Sequence, residues 1–295
     1  MKNTKFVALG LTPAFICIAV FMIVPIAWGL GLAFTDYKPL AKSVNFVGID
    51  NFARLFGDKV FNISLRNTLA FTFVTVAINI ALTLMIAQFI THLKSNRARS
   101  LLRAAFFLPC VAPLVASSTV WSQMYSVKYG LINNLLNALF QMPPQKWLGD
   151  PATVLPAIIV FTLWADIGFN IIIFSAGMDG IPTEFYESAD LDRAGKVARF
   201  FYITLPLLRR TICFVVTMTL ISHFHMFAQF EVMTRTASGS GGPANAGMVL
   251  TLNIYKTAFK YKQMGYASAM AVVLFVIIFA CSVVSQRLNR IDWSY

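Results

Sequence analysis

The feature that most constrains this chain is the distribution of its charges. Charged side chains fall into short bands separated by six long gaps, between Lys5 and Asp36, Arg66 and Lys94, Arg103 and Lys128, Asp150 and Asp179, Arg210 and Arg235, and Lys262 and Arg287. Asp166 and Glu231 are the only carboxylates inside them. A soluble helix must present charge on its outer face every turn or two, so stretches of this length expect lipid as their solvent. A hydrocarbon core of about 30 Å is crossed by roughly 20 helical residues, which each gap supplies. Composition agrees, because 58% of the 295 residues are hydrophobic and 12% are charged, against about 25% charged in soluble domains. The chain therefore reads as an all-α membrane protein with six transmembrane helices in one transmembrane domain. The spans fall at roughly 7–34, 68–92, 104–127, 153–178, 211–233 and 264–286.

An even number of spans puts both termini on one side, and the basic residues say which. With the termini inside, the inner segments carry Lys2 and Lys5, then Lys94, Arg97, Arg99 and Arg103, then Arg193, Lys196, Arg199, Arg209 and Arg210, and finally Arg287 and Arg290. The remaining Lys and Arg are spread over three longer outer loops, so basic density places both termini in the cytoplasm. The net charge of +12 then reports topology and contact with anionic headgroups, and calls for no nucleic acid. A cleaved leader is the rival reading of the first gap. Its length and the lack of a small-residue cleavage pattern point to a retained anchor.

Cys17, Cys110, Cys213 and Cys281 all lie in the uncharged spans, where thiols serve as small apolar fillers, and neither a disulfide nor a metal site is expected. His223 and His225, two residues apart on a helix, point to different faces, which is poor ligand geometry. No phosphate-binding loop of the form G-x-x-x-x-G-K-[ST] occurs, so this chain is not expected to bind nucleotide that way.

The first outer loop holds Phe46-Val47-Gly48-Ile49-Asp50-Asn51-Phe52, a turn followed by a short amphipathic helix expected on the membrane surface. The second gathers turn formers and interfacial aromatics: Tyr129-Gly130, Asn133-Asn134, Pro143-Pro144 and Trp147-Leu148-Gly149-Asp150. The third, Ser238-Gly239-Ser240-Gly241-Gly242-Pro243, reads as a bend or a flexible link. The inner loop 179–210 is long for a connector, and its sequence argues for order. Pro182 and Thr183 can start a helix with Glu184 and Glu187 in the favoured acidic first turn. Gly195 can break it, and Phe200, Phe201, Ile203 and Leu205 form a second apolar segment ending at Pro206.

This loop resembles the signature of the membrane subunits of binding-protein-dependent ABC importers: E-A-A, three residues, G, nine residues, I, one residue, L-P. Glu187-Ser188-Ala189 opens it, and Ile203, Leu205 and Pro206 fall at the required spacing. Ser188 replaces the first alanine, and Arg193 replaces the glycine, with Gly195 two residues later. The resemblance covers nearly the whole chain. Pro25, Phe34-Thr35-Asp36-Tyr37, Phe46-Val47-Gly48 with Asp50-Asn51-Phe52, Asn67-Thr68 and Phe107-Leu108-Pro109 are similar to the carbohydrate-uptake branch. So are Trp164 with Gly168-Phe169-Asn170, Ile181-Pro182, Gly241-Gly242-Pro243 and Gly265-Tyr266-Ala267-Ser268-Ala269. Their order resembles the maltose-transporter-type first membrane subunit.

The resemblance implies a non-catalytic permease in a bacterial or archaeal cytoplasmic membrane. It would work with a second, homologous membrane subunit, two copies of an ABC ATPase holding ATP and Mg²⁺, and an extracytoplasmic solute-binding protein. It implies that Glu187, Ser188, Ala189, Asp190 and Leu191 form a coupling helix seated on the ATPase. Glu184 would offer a further carboxylate to basic groups there. A glycine at a helix end takes φ > 0 at little cost, whereas arginine is strained, so the turn is expected to move to Gly195 and leave Arg193 helical. Within the membrane, Asp166 shares a face with Thr162 and Asn170, with Phe169 beside them. Thr219, Ser222, His223 and Met226 recur at helical spacing in span five. The resemblance implies that these two helices line the solute path, and the groups suit sugar hydroxyls, which donate and accept. An ionisable group at mid-membrane is functional by default, whereas polar residues in bundles also join helices. A cationic solute is the runner-up, and a proton-coupled carrier using Asp166 and Glu231 or a membrane scaffold are further alternatives.

Overall fold

In hydrocarbon the backbone must satisfy its own hydrogen bonds, which turns uncharged runs into helices. The computed structural model describes residues 4–41, 43–235 and 239–288. Lys2, Ser238 and Arg290, used above for topology and loops, lie outside the described residues. Helix α1 (Thr4–Ile18) passes through a π-helical turn, Ala19–Ile23, into α2 (Val24–Leu32). Short α3 (Asp50–Gly57) precedes the long α4 (Lys59–Thr91). Then come α5 (Asn96–Val111), α6 (Leu114–Met124), α7 (Leu131–Phe140) and α8 (Val154–Asp179). The inner loop is α9 (Glu184–Leu191), α10 (Lys196–Arg199), a π-helical turn Phe200–Thr204 and α11 (Leu205–Leu207). It runs into α12 (Arg209–Phe224), followed by α13 (Ala228–Met233), α14 (Leu250–Tyr255) and α15 (Met264–Leu288). A β-bridge pairs Thr35 with Phe46.

Four stretches are long and apolar enough to cross a bilayer as they stand: Gly10–Leu32, Lys59–Thr91, Val154–Asp179 and Met264–Arg287. The stretches expected as spans at 104–127 and 211–233 are each interrupted in the structure. Helices α5 and α6 meet at 93°, because Ala112, preceding Pro113, leaves the helical region for φ −68°, ψ 138°. Helix α12 stops at Phe224, and the chain resumes as α13 at Ala228. At its other end α12 meets Lys196–Leu207 at 70°, two residues beyond Pro206. The spans therefore number four, or six if each bent pair crosses once. Helix α4 is also longer than expected, at 33 residues and about 50 Å, so Arg66 lies within it.

The chain divides into two compact units. One holds the described residues up to Asn62 together with Leu250–Val276. Here Gly48 takes φ 58°, which turns the chain into α3. Asn51 then donates to the carbonyls of Ala33 (2.9 Å) and Thr35 (2.8 Å). A Cβ on Gly265 would lie 2.1 Å from the Thr35 carbonyl oxygen, so only glycine permits this approach. The Tyr266 hydroxyl donates to Asp58 at 2.8 Å, and the Arg54 guanidinium sits 4.2 Å over its ring. Asn45 closes the exposed loop onto Asp36, its backbone N–H first and its side-chain amide second holding that carboxyl below the usual range.

The other unit holds Ile63–Val249 and the described residues from Ile277. Its core packs Leu84 and Ala87 of α4, Phe174 and Met178 of α8, Leu208 and Val215, with Leu205 against them. In the connection before α8, Asn133 is buried, donates to the Gln145 carbonyl (3.0 Å) and accepts from the Trp147 indole (2.8 Å). From Gly239 on, the described part of the connection before α14 is a bend. Gly241 and Gly242 take φ 113° and 69°, and Asn67 donates to the carbonyls of Asn245 and Met248, each at 3.0 Å.

Candidate functional site

A pocket of about 410 Å³ opens between α5, α8 and α12. Gly168 sets its width, since a Cβ there would lie 2.1 Å from the Phe106 carbonyl oxygen. That close approach brings Phe107 and Cys110 of α5 to the wall opposite Met218 and Thr219 of α12. Of the eight residues expected on the solute path, Asp166, Phe169, Asn170, Thr219, Ser222 and His223 line this pocket. Thr162 and Met226 do not. Thr162 is 1% exposed and donates to the Ile158 carbonyl of its own helix at 2.8 Å. Met226 lies in the break that follows α12, its N–H donating to the His223 carbonyl at 3.3 Å. Glu231 pairs with Arg235 at 2.8 Å, as an interfacial carboxylate does.

The polar groups are held by a buried network. Asn170 donates to Asn79 Oδ1 at 2.7 Å and to Thr219 Oγ1 at 3.2 Å. The His223 ring stacks on Phe71, centroids 5.8 Å apart, and its Nδ1 lies 2.8 Å from the Thr219 carbonyl. A carbonyl only accepts, so Nδ1 carries the proton and a neutral ring turns an accepting Nε2 toward Asp166, whose Oδ2 is 3.7 Å away. His223 Nε2 has no hydrogen-bond partner among the described residues. Two acceptors thus face the same space. A hydroxyl or other donor placed between them would satisfy both in turn.

Asn79 went unnoticed in the sequence. It belongs to a stripe on α4, Thr68, Thr72, Thr75, Asn79 and Thr83, all buried. The three- and four-residue spacing that singled out the polar faces of α8 and α12 was equally visible here.

The inner loop presents a different surface. On α9, Glu184, Phe185, Glu187, Ser188, Asp190 and Leu191 are exposed, Leu191 by 86%. Ala189 is turned inward at 8%, so of the residues expected on the ATPase-facing side of this helix Ala189 alone is buried, and the small outward position is Ser188. Tyr186 also points inward, with its hydroxyl 2.9 Å from Thr204 Oγ1. The expected shift of the turn is overturned. Arg193 has φ 53°, while Gly195 is extended at φ −68°, ψ 161°. The Arg193 N–H donates to the Asp190 carbonyl (3.0 Å) and the Ala194 N–H to that of Ala189 (2.9 Å), the paired bonds of a Schellman cap. That cap needs its left-handed residue directly after the helix, whichever residue stands there. Arg199 braces the turn by donating to the Ala194 carbonyl at 2.8 Å and pairing with Asp190. Ile203 is half-buried, Leu205 reaches the core, and Pro206 precedes the bend into α12. Arg103 and Arg99 meet Asp179 at 2.8 and 3.9 Å, tying α5 to the end of α8. This tie was also missed.

These features define a class: a multi-span helical membrane protein with a polar pocket among its apolar helices. Within that class the chain belongs to the family of the binding-protein-dependent transport system inner membrane component, which matches residues 71–291. The lactose transport system permease protein LacF of Rhizobium radiobacter is 34% identical, over 94% of this chain and 90% of its own length. The arabinooligosaccharides transport system permease protein AraP of Bacillus subtilis is 30% identical, over 94% and 86%. In fold, the chain is similar to one from a bacterial alginate ABC transporter in complex with an alginate pentasaccharide-bound periplasmic protein. That match has a TM-score of 0.85 and 21% identity, covering 98% of this chain and 95% of the other.

Proposed function

We propose that this chain is a membrane-spanning subunit of an ATP-driven importer and forms half of the path for a sugar or oligosaccharide handed over by an extracytoplasmic binding protein. Each bent pair crosses the membrane once, giving six spans with both termini in the cytoplasm. A second, homologous subunit supplies the other half of the path. Two ATPase subunits bind ATP and Mg²⁺ and hydrolyse it, while this chain catalyses nothing. The exposed face of α9, with Glu184, Glu187, Ser188, Asp190 and Leu191, seats on the ATPase. Ala189, Arg193, Gly195, Ile203, Leu205 and Pro206 hold that helix rigid, so that ATPase closure swings α8 and α12 between inward- and outward-open states.

The observation that carries the reading is the pocket, where the acceptors Asp166 and His223 face the amide of Asn170, the hydroxyls of Thr219 and Ser222 and the ring of Phe169. Sugars offer hydroxyls to the first groups and an apolar face to the last. The relatives named for lactose and arabinooligosaccharides agree. The alginate relative is said to import an acidic polysaccharide, but Asp166 is the one carboxylate lining this pocket and repels a polyanion. A cationic solute is the second reading, favoured by that same carboxylate.

Uptake of labelled neutral, cationic and anionic oligosaccharides by cells carrying the whole system tests this. Neutral sugar should enter only with an intact phosphate-binding loop in the ATPase. Asp166→Asn should relax exclusion of anionic sugars while leaving subunit assembly intact. Uptake that survives loss of the ATPase, or a preference for cations abolished by Asp166→Asn, would overturn the sugar-importer reading.

A further inference from the structure

A second cleft, of about 380 Å³, lies between the last turns of α4 and the segment that begins at Lys196. Its floor is apolar, built by Met85 and Phe89 on one side and Phe200 and Phe201 on the other. These are not core residues, since Phe89 is 63% and Phe201 56% exposed. Its rim is polar: Gln88, His92 and Lys196. No carboxylate is among the lining residues. His92 Nδ1 is 2.9 Å from the Gln88 carbonyl, which fixes the ring and leaves Nε2 to meet a ligand.

The depth of this cleft follows from the sequence. The uncharged stretch that opens after Arg66 ends at Lys94, two residues beyond His92. Met85 and Phe89 therefore lie where hydrocarbon ends, and His92 and Lys196 mark the level of the headgroups. An apolar floor running up to a cationic rim matches one molecule above others, a phospholipid with a negative headgroup. The neighbouring outward face of α9 has the opposite character, with Glu184 and Glu187 exposed, and suits a basic protein surface. The two surfaces divide the inner side between a protein partner and lipid.

We propose that this cleft binds one anionic phospholipid, an acyl chain lying along Phe89 and Phe201 and the phosphate meeting Lys196 and His92. Lys196 begins two residues after the strained Schellman turn, so the bound lipid braces the inner loop against α4. Assigning the lipid to the cytoplasmic leaflet rests on the orientation proposed above, whereas the binding itself does not.

Native mass spectrometry of the purified membrane complex, titrated with phosphatidylglycerol or phosphatidylcholine, tests the site. The wild type should retain phosphatidylglycerol with a preference of roughly fivefold or more, the effect of one interfacial cation. Lys196→Gln combined with His92→Gln should bring that preference close to unity, and Lys196→Arg should keep it. Equal retention of both lipids by the wild type, or an unchanged preference in the double variant, would overturn the proposal. A photo-crosslinking residue in place of Phe201, in an otherwise native complex, decides the matter even if the double variant does not fold. Crosslinks to phospholipid support the site, and crosslinks to another subunit refute it.

Discussion

Arg193 is one of five non-glycine residues with positive φ among the described residues, and it sits where the importer signature carries glycine. An L-residue in the left-handed region costs about 1–2 kcal/mol, and the two cap bonds from Arg193 and Ala194, with the Arg199 brace on Ala194 and Asp190, hold it there. Replacing Arg193 by Gly removes that strain, partly offset by the larger entropy of glycine in the unfolded chain. The expected net gain is about 1 kcal/mol, read as a higher unfolding temperature of the purified complex and slower proteolysis of the inner loop. Gly195 has ordinary angles and nothing within 4 Å of a Cβ, so Gly195→Ala should be neutral or slightly stabilising. Destabilisation by Arg193→Gly would show that the arginine side chain has a use that outweighs its strain. The rule that arginine avoids positive φ was correct as a cost. It failed as a forecast because the helix end fixes which position must be left-handed, and the loop beyond it, braced by Arg199, leaves no slack to move the turn.

At the scale of elements, the packing of α5 and α12 on α8 sets the pocket. Gly168→Ala would push a methyl into the Phe106 carbonyl, and overpacking of this kind costs about 1–3 kcal/mol. The variant should unfold earlier and transport with altered selectivity, because Phe107 moves with Phe106. Unchanged stability would mean that α5 shifts freely. The α4 stripe predicts two opposite effects within one helix. Thr75 is fully buried and its hydroxyl has no hydrogen-bond partner among the described residues, so Thr75→Val should stabilise by about 1 kcal/mol. Asn79 instead accepts from Asn170, and Asn79→Val should cost about 1–3 kcal/mol by leaving one N–H of that amide without its acceptor, the bond to Thr219 remaining. Thermal unfolding of the two variants beside the wild type checks the pair. Equal shifts would dissolve the distinction between network and bystander.

For the whole molecule, the path of the bent pairs sets the topology. If α5 and α6 cross together, Lys94 and Tyr129 lie on opposite sides of the membrane. If the 93° bend makes them re-entrant, both lie on one side. Single cysteines at positions 94, 129 and 193, labelled by an impermeant reagent in sealed vesicles of either orientation, separate the two. Labelling of 94 and 193 from the cytoplasmic side and of 129 from the other is the expected outcome.

Lipid gives a sequence few choices, which is why so much of this protein could be read without a structure. A long stretch without charge must become helix, and the ends of α2, α8 and α15 fall within a few residues of where charge and turn formers put them. The polar faces of α8 and α12 were legible for the same reason, since helical periodicity is fixed. Tertiary structure alone decided what depends on a neighbour. It bent the chain at Pro113 and beyond Pro206, where proline permits a break but packing sets its angle. It joined Asn79 to Asn170 across 91 residues of sequence, and kept Thr162 and Met226 out of a pocket that periodicity had assigned them. It turned Ala189 inward and held Arg193 left-handed. Periodicity determines which face a residue occupies, and only the packed helices determine what that face meets.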